Sequence, residues 1–255
     1  MTNRRCDLDG HVALVTGGGG GLGSGMAQSL ADVGAHVVVA GRTRMALEAV
    51  VASIAAAGGS ASAEAVDLME PTAAARLVSS VVASHGRLDT LVHAAGNQHR
   101  APLLEYPEET FDEVLHLHLS VAFQLAQATA AHLVSRQAPG NIILVGSLTS
   151  NVVGVRHIVG YAAAKAGLLG LMRTMAVELA EHGIRVNTVA PGFFATAMTQ
   201  DTDDDPYRRA LYRRIPTGRL GEPQDVGDLV AFLASPAAEY VTGQCIAVDG
   251  GWSVA

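Results

Sequence analysis

The stretch HVALVTGGGGGLGSGMA, residues 11–27, decides how the chain folds. It starts as an apolar, β-branched run typical of a buried strand, passes directly into a run of glycines and continues as a helical pattern. Glycine permits a tight turn and close approach of another group, and a helix N-terminus offers unpaired N–H groups to an anion. A glycine run alone also occurs in flexible turns and in methyltransferases, but the strand–glycine–helix order predicts a dinucleotide-binding unit.

Further strand-like runs recur along the chain, separated by longer Ala/Leu-rich segments of helical pattern. These runs are HVVVAG (36–41), SAEAVDLM (62–69, ending as a strand at Asp67), LDTLVHAAG (88–96), NIILVGS (141–147), IRVNTVAPG (184–192) and QCIAVDGG (244–251). Regular alternation of this kind predicts an α/β fold, a doubly wound parallel sheet with helices on both faces. Because no linker or repeat divides the chain, we expect residues 1–255 to form a single domain.

Composition narrows the classes of function. The chain has 255 residues and a formal net charge of -7, which argues against a general nucleic-acid binder. Its two cysteines, Cys6 and Cys245, are too few for a disulfide framework or a zinc cluster, and no metal site is predicted. No apolar run is long enough to span a membrane. We therefore expect a soluble, cytoplasmic protein whose partner is a small molecule.

The end of the second predicted strand bears on the choice of cofactor. A site for NAD commonly places a carboxylate there, which binds the 2′-hydroxyl of the adenosine ribose. Here Gly41 is followed by Arg42, Thr43 and Arg44 instead. Cations in place of the acid suit a 2′-phosphate, so the sequence favours NADP, with NAD as the alternative. Arg42 could also be an ordinary solvated loop residue.

A candidate catalytic set lies in the second half of the chain. The sequence GYAAAKAG places Tyr161 and Lys165 four residues apart, hence on one face of a helix. A phenol is a poor base at neutral pH, but a nearby ammonium and an oxidised nicotinamide would favour its ionised form and lower its pKa. Ser147 ends the strand NIILVGS and could hydrogen-bond the same substrate oxygen.

With these residues the chain resembles the short-chain dehydrogenases/reductases over nearly its whole length. The shared motifs are T-G-x-x-x-G-x-G at residues 16–23, Asp67, AAG at 94–96, Ser147, Y-x-x-x-K, PG at 191–192, Thr196 and VDGG at 248–251. The resemblance implies a Rossmann-type sheet and hydride transfer between a nicotinamide and a secondary alcohol or ketone. It also implies a homotetramer.

The resemblance further implies roles for individual residues. Asp67 would help to hold the adenine, Lys165 would bind the nicotinamide ribose, and PGFFAT (191–196) would contact the carboxamide. The predicted cofactor-binding residues are Thr16, Gly17, Gly21, Leu22, Gly23, Arg42, Thr43, Asp67, Leu68, Ala95, Gly96, Tyr161, Lys165, Pro191, Gly192, Phe194 and Thr196.

Three features depart from the family pattern. The family's N-N-A-G is HAAG at residues 93–96, and Ser147 precedes Tyr161 by one residue more than usual, so Thr149 or Ser150 could substitute for Ser147. The third is His118 in VLHLHLS (114–120), which occupies the position of a family asparagine that supports a proton path to the lysine. Histidine can also accept and donate hydrogen bonds, so His118 is a candidate catalytic relay, or else a structural helix histidine. His116, two residues away on a helix, points elsewhere.

The substrate is the least determined part of the prediction. NQHRAPL, GVR, RIPTGRLGEPQD and VDGGW resemble the branch of gluconate 5-dehydrogenases and 2-deoxy-gluconate 3-dehydrogenases. Arg100 and Arg156 fall in segments that should border the pocket and could pair with a sugar-acid carboxylate. Residues 197–216 are a candidate lid. Other carbonyl substrates, such as 3-oxoacyl thioesters or cyclic ketones, and a weakly catalytic dinucleotide-binding sensor stay open.

Overall fold

The protein is described by a computed structural model that covers residues 6–150, 153–195, 210 and 212–255. Seven strands form one sheet, in the order β3-β2-β1-β4-β5-β6-β7, and every pair is parallel. The strands are β1 (Val12–Thr16), β2 (His36–Gly41), β3 (Ser60–Ala65), β4 (Thr90–His93), β5 (Gly140–Val145), β6 (Ile184–Pro191) and β7 (Cys245–Val248). This confirms the predicted doubly wound parallel sheet.

Helices cover both faces of the sheet. They are α1 (Gly21–Asp32), α2 (Arg44–Ala56), α3 (Ala73–His85), α4 (Glu108–Leu115), α5 (Val121–Ser135), α6 (Val159–Leu179) and α7 (Pro223–Ala234). Helices α3, α5 and α6 pack on one face together with Leu14 of β1, whereas α1, α2 and α7 pack on the other with Ala13 and Val15. Successive side chains of a strand point to opposite faces, so both apolar layers are anchored in the same short strands.

The third strand begins and ends two residues earlier than predicted. Pairing with β2 ends at Ala65, whereas the sequence extended this strand to Asp67. The reason is local: the Asp67 carboxylate accepts the N–H of Met69 at 3.0 Å, which turns the chain. Asp67 therefore lies in a turn that follows the strand.

The helix that contains His118 is not regular. Residues His116–Ser120 form a π-helical turn between α4 and α5, in which the N–H of Val121 bonds to the carbonyl of His116. Such a turn inserts one residue into the helix and rotates the side chains around it, and π-turns are frequent at functional sites. His118 is 1% exposed as a result of its placement here.

Two helices on the second face approach each other through glycines. A Cβ built on Gly25 of α1 would lie 2.5 Å from backbone and side-chain atoms of Pro223, and one built on Gly227 of α7 would lie 2.6 Å from the carbonyl oxygen of Gly25. No side chain could occupy either position without displacing a helix. The first and last long helices are thus in backbone contact.

In the part of the chain that the structure describes, no helix combines the length and apolar character that crossing a bilayer requires. The predicted lid, residues 197–216, lies for the most part outside the described residues, which include only 210 and 212–216 of it. Predicted cofactor residue Thr196 also lies outside them.

Candidate active site

A cavity of about 520 Å³ opens at the carboxyl ends of β1, β4, β5 and β6. In an open parallel sheet this edge, where the strand order reverses, is the usual place for a ligand. The cavity is continuous from the glycine turn after β1 to the face of α6 that carries Tyr161 and Lys165. One space therefore joins the predicted cofactor end and the predicted chemical end.

The glycine turn has the shape of a cradle. Gly17 has φ +70°, and a Cβ there would lie 2.7 Å from the backbone nitrogen of Ala95, while a Cβ on Gly23 would collide with the carbonyl of Gly17. In contrast, Cβ atoms on Gly20 and Gly21 would enter open space, and both residues line the cavity. The backbone thus leaves room for a ligand at the N-terminus of α1, as a pyrophosphate requires.

Tyr161, Lys165 and Ser147 lie together at the other end. The Nζ atom of Lys165 donates to the Val145 carbonyl at 2.5 Å and lies 5.5 Å from the centroid of the Tyr161 ring. The Ser147 hydroxyl hydrogen-bonds the phenol of Tyr161 and favours its ionised form. An acid–base group, a cation and a second hydroxyl therefore converge on one part of the cavity.

The pKa values of this set are governed by burial. Burial lowers the pKa of Lys165 to about 7, because the ammonium is removed from water. Burial also raises the pKa of Tyr161, against the lowering contributed by Ser147. Lys165 is not among the causes of this shift, and the lowering expected from the ammonium together with an oxidised nicotinamide stays a prediction.

The candidates for the catalytic serine are separated by their contacts. The Ser150 hydroxyl is occupied in accepting the N–H of Ser147 at 3.0 Å, and the Ser147 oxygen accepts the N–H of Thr149 at 3.3 Å. Ser147 and Thr149 line the cavity, whereas Ser150 does not. Ser147 is the one that contacts Tyr161, so the extra residue in this interval does not displace it.

His118 lies at the floor of the cavity, against Tyr161. In one tautomer its Nε2 donates to the Asn97 carbonyl at 2.8 Å, and in the other it accepts the Asn97 N–H at 3.1 Å. Its Nδ1 is buried without a hydrogen-bond partner among the described residues. Burial, followed by the charge of Lys165, lowers the pKa of His118 to about 3, so the ring is neutral at pH 7.

His93, which replaces a family asparagine, is fully buried at the end of β4. Its Nδ1 lies 2.9 Å from the hydroxyl of Thr16 at the end of β1. Burial and then the charge of Lys165 lower the pKa of His93 to about 3. Thr16 and His93 therefore join the two strands beneath the glycine turn, and Thr16 does not line the cavity itself.

Most of the predicted site residues do meet in this cavity. Of the predicted set, the lining includes Gly17, Gly21, Leu22, Gly23, Gly96, Arg100, His118, Ser147, Tyr161, Lys165, Pro191, Gly192 and Phe194. Those outside the lining, apart from Thr16, are Arg42, Thr43, Asp67, Leu68, Ala95 and Arg156. Arg42 and Thr43 are exposed between β2 and α2, and Leu68 is buried in the core, 5% exposed.

The two predicted substrate arginines differ in their placement. Arg100 lines the cavity, on the loop that follows β4. Arg156 is exposed and lies outside the lining, although its neighbours Val155 and Ile158 belong to it. Of the two, only Arg100 is in position to meet a carboxylate in the cavity.

Several lining residues were not predicted. The apolar and aromatic wall comes from segments that carry no catalytic motif, and the remaining members are loop residues next to predicted ones. They are Gly20, Ala94, Asn97, Gln98, Val145, Gly146, Leu148, Val153, Val155, Ile158 and Tyr212, whereas Thr149 and Phe193, which also line the cavity, belong to segments already named from the sequence. Position beside a motif could have identified Asn97, but Tyr212 is brought in only by tertiary packing.

Known proteins resemble this chain along almost its full length. Residues 18–253 match the family model described as enoyl-(acyl carrier protein) reductase. The 2-dehydro-3-deoxy-D-gluconate 5-dehydrogenase of Escherichia coli (strain K12) is 39% identical over 246 residues, 96% of each chain. The 3-oxoacyl-(acyl-carrier-protein) reductase of Thermotoga maritima is 36% identical over 244 residues, 96% of this chain and 98% of the relative.

A solved structure shows the same fold at useful sequence identity. The gluconate 5-dehydrogenase from Burkholderia cenocepacia J2315, in complex with NADP and tartrate, has a TM-score of 0.92 and 33% identity, covering 99% of this chain and 98% of that one. Together with the Tyr161, Lys165 and Ser147 arrangement, these similarities confirm the family predicted from sequence. The chain belongs to the short-chain dehydrogenase/reductase family of nicotinamide-dependent oxidoreductases.

Proposed function

We propose that the protein catalyses reversible, NADP-dependent oxidation of a secondary alcohol of a sugar acid such as gluconate. The observation that carries this proposal is the single cavity shared by the glycine turn, Tyr161, Lys165 and Ser147. When bound, the nicotinamide supplies the hydride acceptor or donor. The protein supplies orientation and proton transfer.

Tyr161 is the residue that exchanges a proton with the substrate oxygen. In the oxidative direction the Tyr161 phenol first gives up its proton along the path through Lys165 and His118; the carbinol carbon then gives up a hydride while its hydroxyl proton passes to the resulting phenolate, and the reductive direction reverses these transfers. Ser147 hydrogen-bonds the tyrosine and is placed to hold the substrate oxygen. Lys165, whose pKa burial lowers to about 7, can present either an ammonium or an amine beside the ring.

His118 completes the proposed proton path. Asn97 offers Nε2 both a carbonyl oxygen and an N–H, so either tautomer of the ring is satisfied. Nδ1 can consequently be donor or acceptor without a change in charge, which is what a relay through a neutral imidazole requires. A purely structural histidine would need only one tautomer. We therefore place His118 with Tyr161, Lys165 and Ser147 in the proposed catalytic set.

Two arginines support the choice of substrate and cofactor. Arg100 provides a guanidinium in the lining, where it can pair with the carboxylate of a sugar acid. Arg42 lies exposed just beyond β2, where a 2′-phosphate would lie. The carboxylate that commonly binds the ribose 2′-hydroxyl of NAD at this position is replaced by this arginine. The NADP named for the Burkholderia cenocepacia structure supports the same choice. Asp67 is proposed to bind the adenine from the turn after β3.

The test is a spectrophotometric screen at the nicotinamide absorbance, with polyols, sugar acids, cyclic ketones and 3-oxoacyl thioesters and with NADP(H) and NAD(H) in parallel. We expect turnover of gluconate with NADP, a loss of about 10²–10⁴ in kcat for Tyr161→Phe, and a raised KM for NADP but not NAD in Arg42→Ala. Turnover of thioesters alone would favour the second candidate, a 3-oxoacyl reductase, which the Thermotoga maritima relative supports. Cofactor binding without any turnover would favour a sensor.

The proposal includes a cytoplasmic homotetramer. Phe123 is 45% exposed on α5, beside a shallow groove lined by Leu119 and Leu171, and two glycines of α6, Gly167 and Gly170, let another surface approach closely. An apolar face of this kind suits contact with a second copy of the chain. Light scattering of the purified protein tests this, and Phe123→Glu should reduce the assembly size. A monomeric wild-type protein would contradict it.

A further inference from the structure

The closing VDGG motif has no part in the proton and hydride transfers, yet its geometry is specific. Asp249 accepts the N–H groups of Gly251 and Ser253, each at 2.9 Å, and so folds the chain into a turn. Gly250 and Gly251 have φ values of +64° and +88°, in the left-handed region that favours glycine. The turn places Trp252 at the start of a short 3₁₀ helix.

The turn forms a dock for the segment 215–217. The N–H of Thr217 donates to the Gly250 carbonyl at 3.2 Å. A Cβ on Gly250 would collide with the Thr217 hydroxyl and would lie 2.8 Å from Ile215, and a Cβ on Gly251 would lie 3.1 Å from Pro216. The two glycines are therefore required for close contact as well as for the backbone conformation.

Trp252 links this dock to the wall of the cavity. Its ring centroid lies 5.6 Å from that of Phe193, and Phe193 lies 5.5 Å from Tyr212, both in edge-to-face arrangements. Phe193 and Tyr212 line the cavity, as does Leu148, whereas Trp252 lies behind them and is 3% exposed. Leu148, Ile215 and Trp252 form one small core of their own.

A cation also packs against the ring of Trp252. The Arg214 guanidinium lies 4.5 Å from the centroid of the Trp252 ring and also donates to the carbonyl oxygen of Ala255 at 3.2 Å. Tryptophan is the best aromatic partner for a cation, and arginine is the cation found most often in such pairs. Trp252 is thus in contact with both Arg214 and Phe193 of the cavity wall.

From these contacts we propose that Trp252 is a positioning residue. Held by the closing turn and by Arg214, it sets the position of Phe193 and Tyr212 and thereby the affinity of the cavity for substrate. The proposal assigns a role to the carboxy-terminal turn that neither the catalytic set nor the cofactor cradle needs. Its kinetic consequence rests on the proposed function, while its structural basis can be measured without turnover.

The kinetic test separates KM from kcat. We expect Trp252→Ala to raise the KM for gluconate about tenfold through displacement of the wall, with kcat and the KM for NADP changed little. Trp252→Phe should recover most of the affinity, because an aromatic ring remains against Phe193. Ile54→Val, a core change in α2 far from the cavity, controls for lost stability and should leave KM unaltered. Equal KM values for wild type and Trp252→Ala would overturn the proposal.

The second test uses the fact that Trp252 is the only tryptophan of the chain. We expect its emission to be protected from acrylamide in the wild type, and to shift to longer wavelength with stronger quenching in Arg214→Gln. Arg213→Gln, the exposed neighbour, should behave as wild type. Identical spectra for Arg214→Gln and wild type would contradict the docking. If the wild type fails to oxidise gluconate, the proposed function fails, but this measurement still decides the docking.

Discussion

The imidazole of His118 lies edge-on to the ring of Tyr161, with ring centroids 5.3 Å apart and planes at 84°. The contact is made possible by Gly96, because a Cβ at that position would collide with the histidine ring. It places a second titratable group beside the proposed proton acceptor. The pKa of about 3 means that His118 works as a neutral ring at physiological pH.

The first prediction concerns this ring. His118→Asn keeps one acceptor and one donor, so we expect kcat to stay within about tenfold of wild type. His118→Leu removes both and should lower kcat by about 10²-fold and change its pH dependence. The measurement is kcat against pH from 6 to 10 for all three proteins. A leucine variant with the wild-type rate and profile would show that His118 is only structural.

The second prediction concerns the stability cost of Lys165. Its folded pKa of about 7 lies below the unfolded value of 10.5, so the unfolded chain binds the proton more tightly and wild-type stability rises with pH between 7 and 10.5. Lys165→Met removes the cost of burying the ammonium but leaves the Val145 carbonyl without its donor. We expect the free energy of unfolding to rise by about 1–3 kcal/mol at pH 7. Activity should be lost.

Urea unfolding of both proteins from pH 7 to pH 10 checks this. The advantage of Lys165→Met should shrink as pH rises, since the wild-type lysine then becomes neutral in the unfolded chain as well. An advantage that is the same at both ends of the range would mean that the lysine is not held below its usual pKa.

The third prediction is acid sensitivity through the buried histidines. His93 and His118 both have pKa values of about 3 in the folded protein and 6.5 in the unfolded chain. Their contribution to the stability of the fold is therefore intact above pH 6.5 and is lost as pH falls toward 3. At pH 4.5 protonation of each histidine in the unfolded chain should lower the free energy of unfolding by about 2–3 kcal/mol, at about 1.4 kcal/mol per pKa unit.

His93→Asn isolates one of these contributions, since asparagine is polar and does not titrate. Its urea midpoint should fall less than that of the wild type between pH 7 and pH 4.5. His182→Asn is a matched control, because His182 is a partly exposed histidine near the end of α6. Parallel pH curves for wild type and His93→Asn would contradict the assignment.

The fourth prediction uses two arginines of different loops, Arg100 after β4 and Arg156 before α6. Arg100→Ala should raise the KM for gluconate by about 10-fold or more, because a carboxylate would lose a charged partner in the cavity. Arg156→Ala is the matched control and should change KM little, since Arg156 lies outside the lining. A neutral polyol of similar size should show no difference between the variants. If Arg100→Ala and wild type share one KM for gluconate, the carboxylate is bound elsewhere.

The sheet was predictable because its strands are short, apolar and separated by helical patterns, and HVVVAG at 36–41 coincides with β2. The end of β3 was not predictable. The Asp67 carboxylate bonds to the N–H of Met69 and turns the chain, and a hydrophobic pattern does not reveal such a turn. The π-helical turn at His116–Ser120 was also missed. Its hydrogen bond, from the N–H of Val121 to the carbonyl of His116, spans five residues rather than four, which the residue pattern alone does not report.

In the site, residues in motifs were predictable and residues in the wall were not. Gly17, Tyr161 and Lys165 are specified by fixed spacings whose chemical reason can be stated from sequence. Tyr212 reaches the cavity because the closing turn holds its segment in place. The depressed pKa of Lys165 depends on burial from several elements, which no spacing records.

The backbone contact between Gly25 and Gly227 joins helices from opposite ends of the chain directly. Helix α1, whose N-terminus faces the proposed dinucleotide site, packs against α7, which lies some two hundred residues later in the chain. An amino-terminal fragment, however complete its glycine motif, would lack that contact. We therefore expect the nucleotide half to be unstable as an independent module, and a graft of its motif elsewhere to need the distant partner helix too.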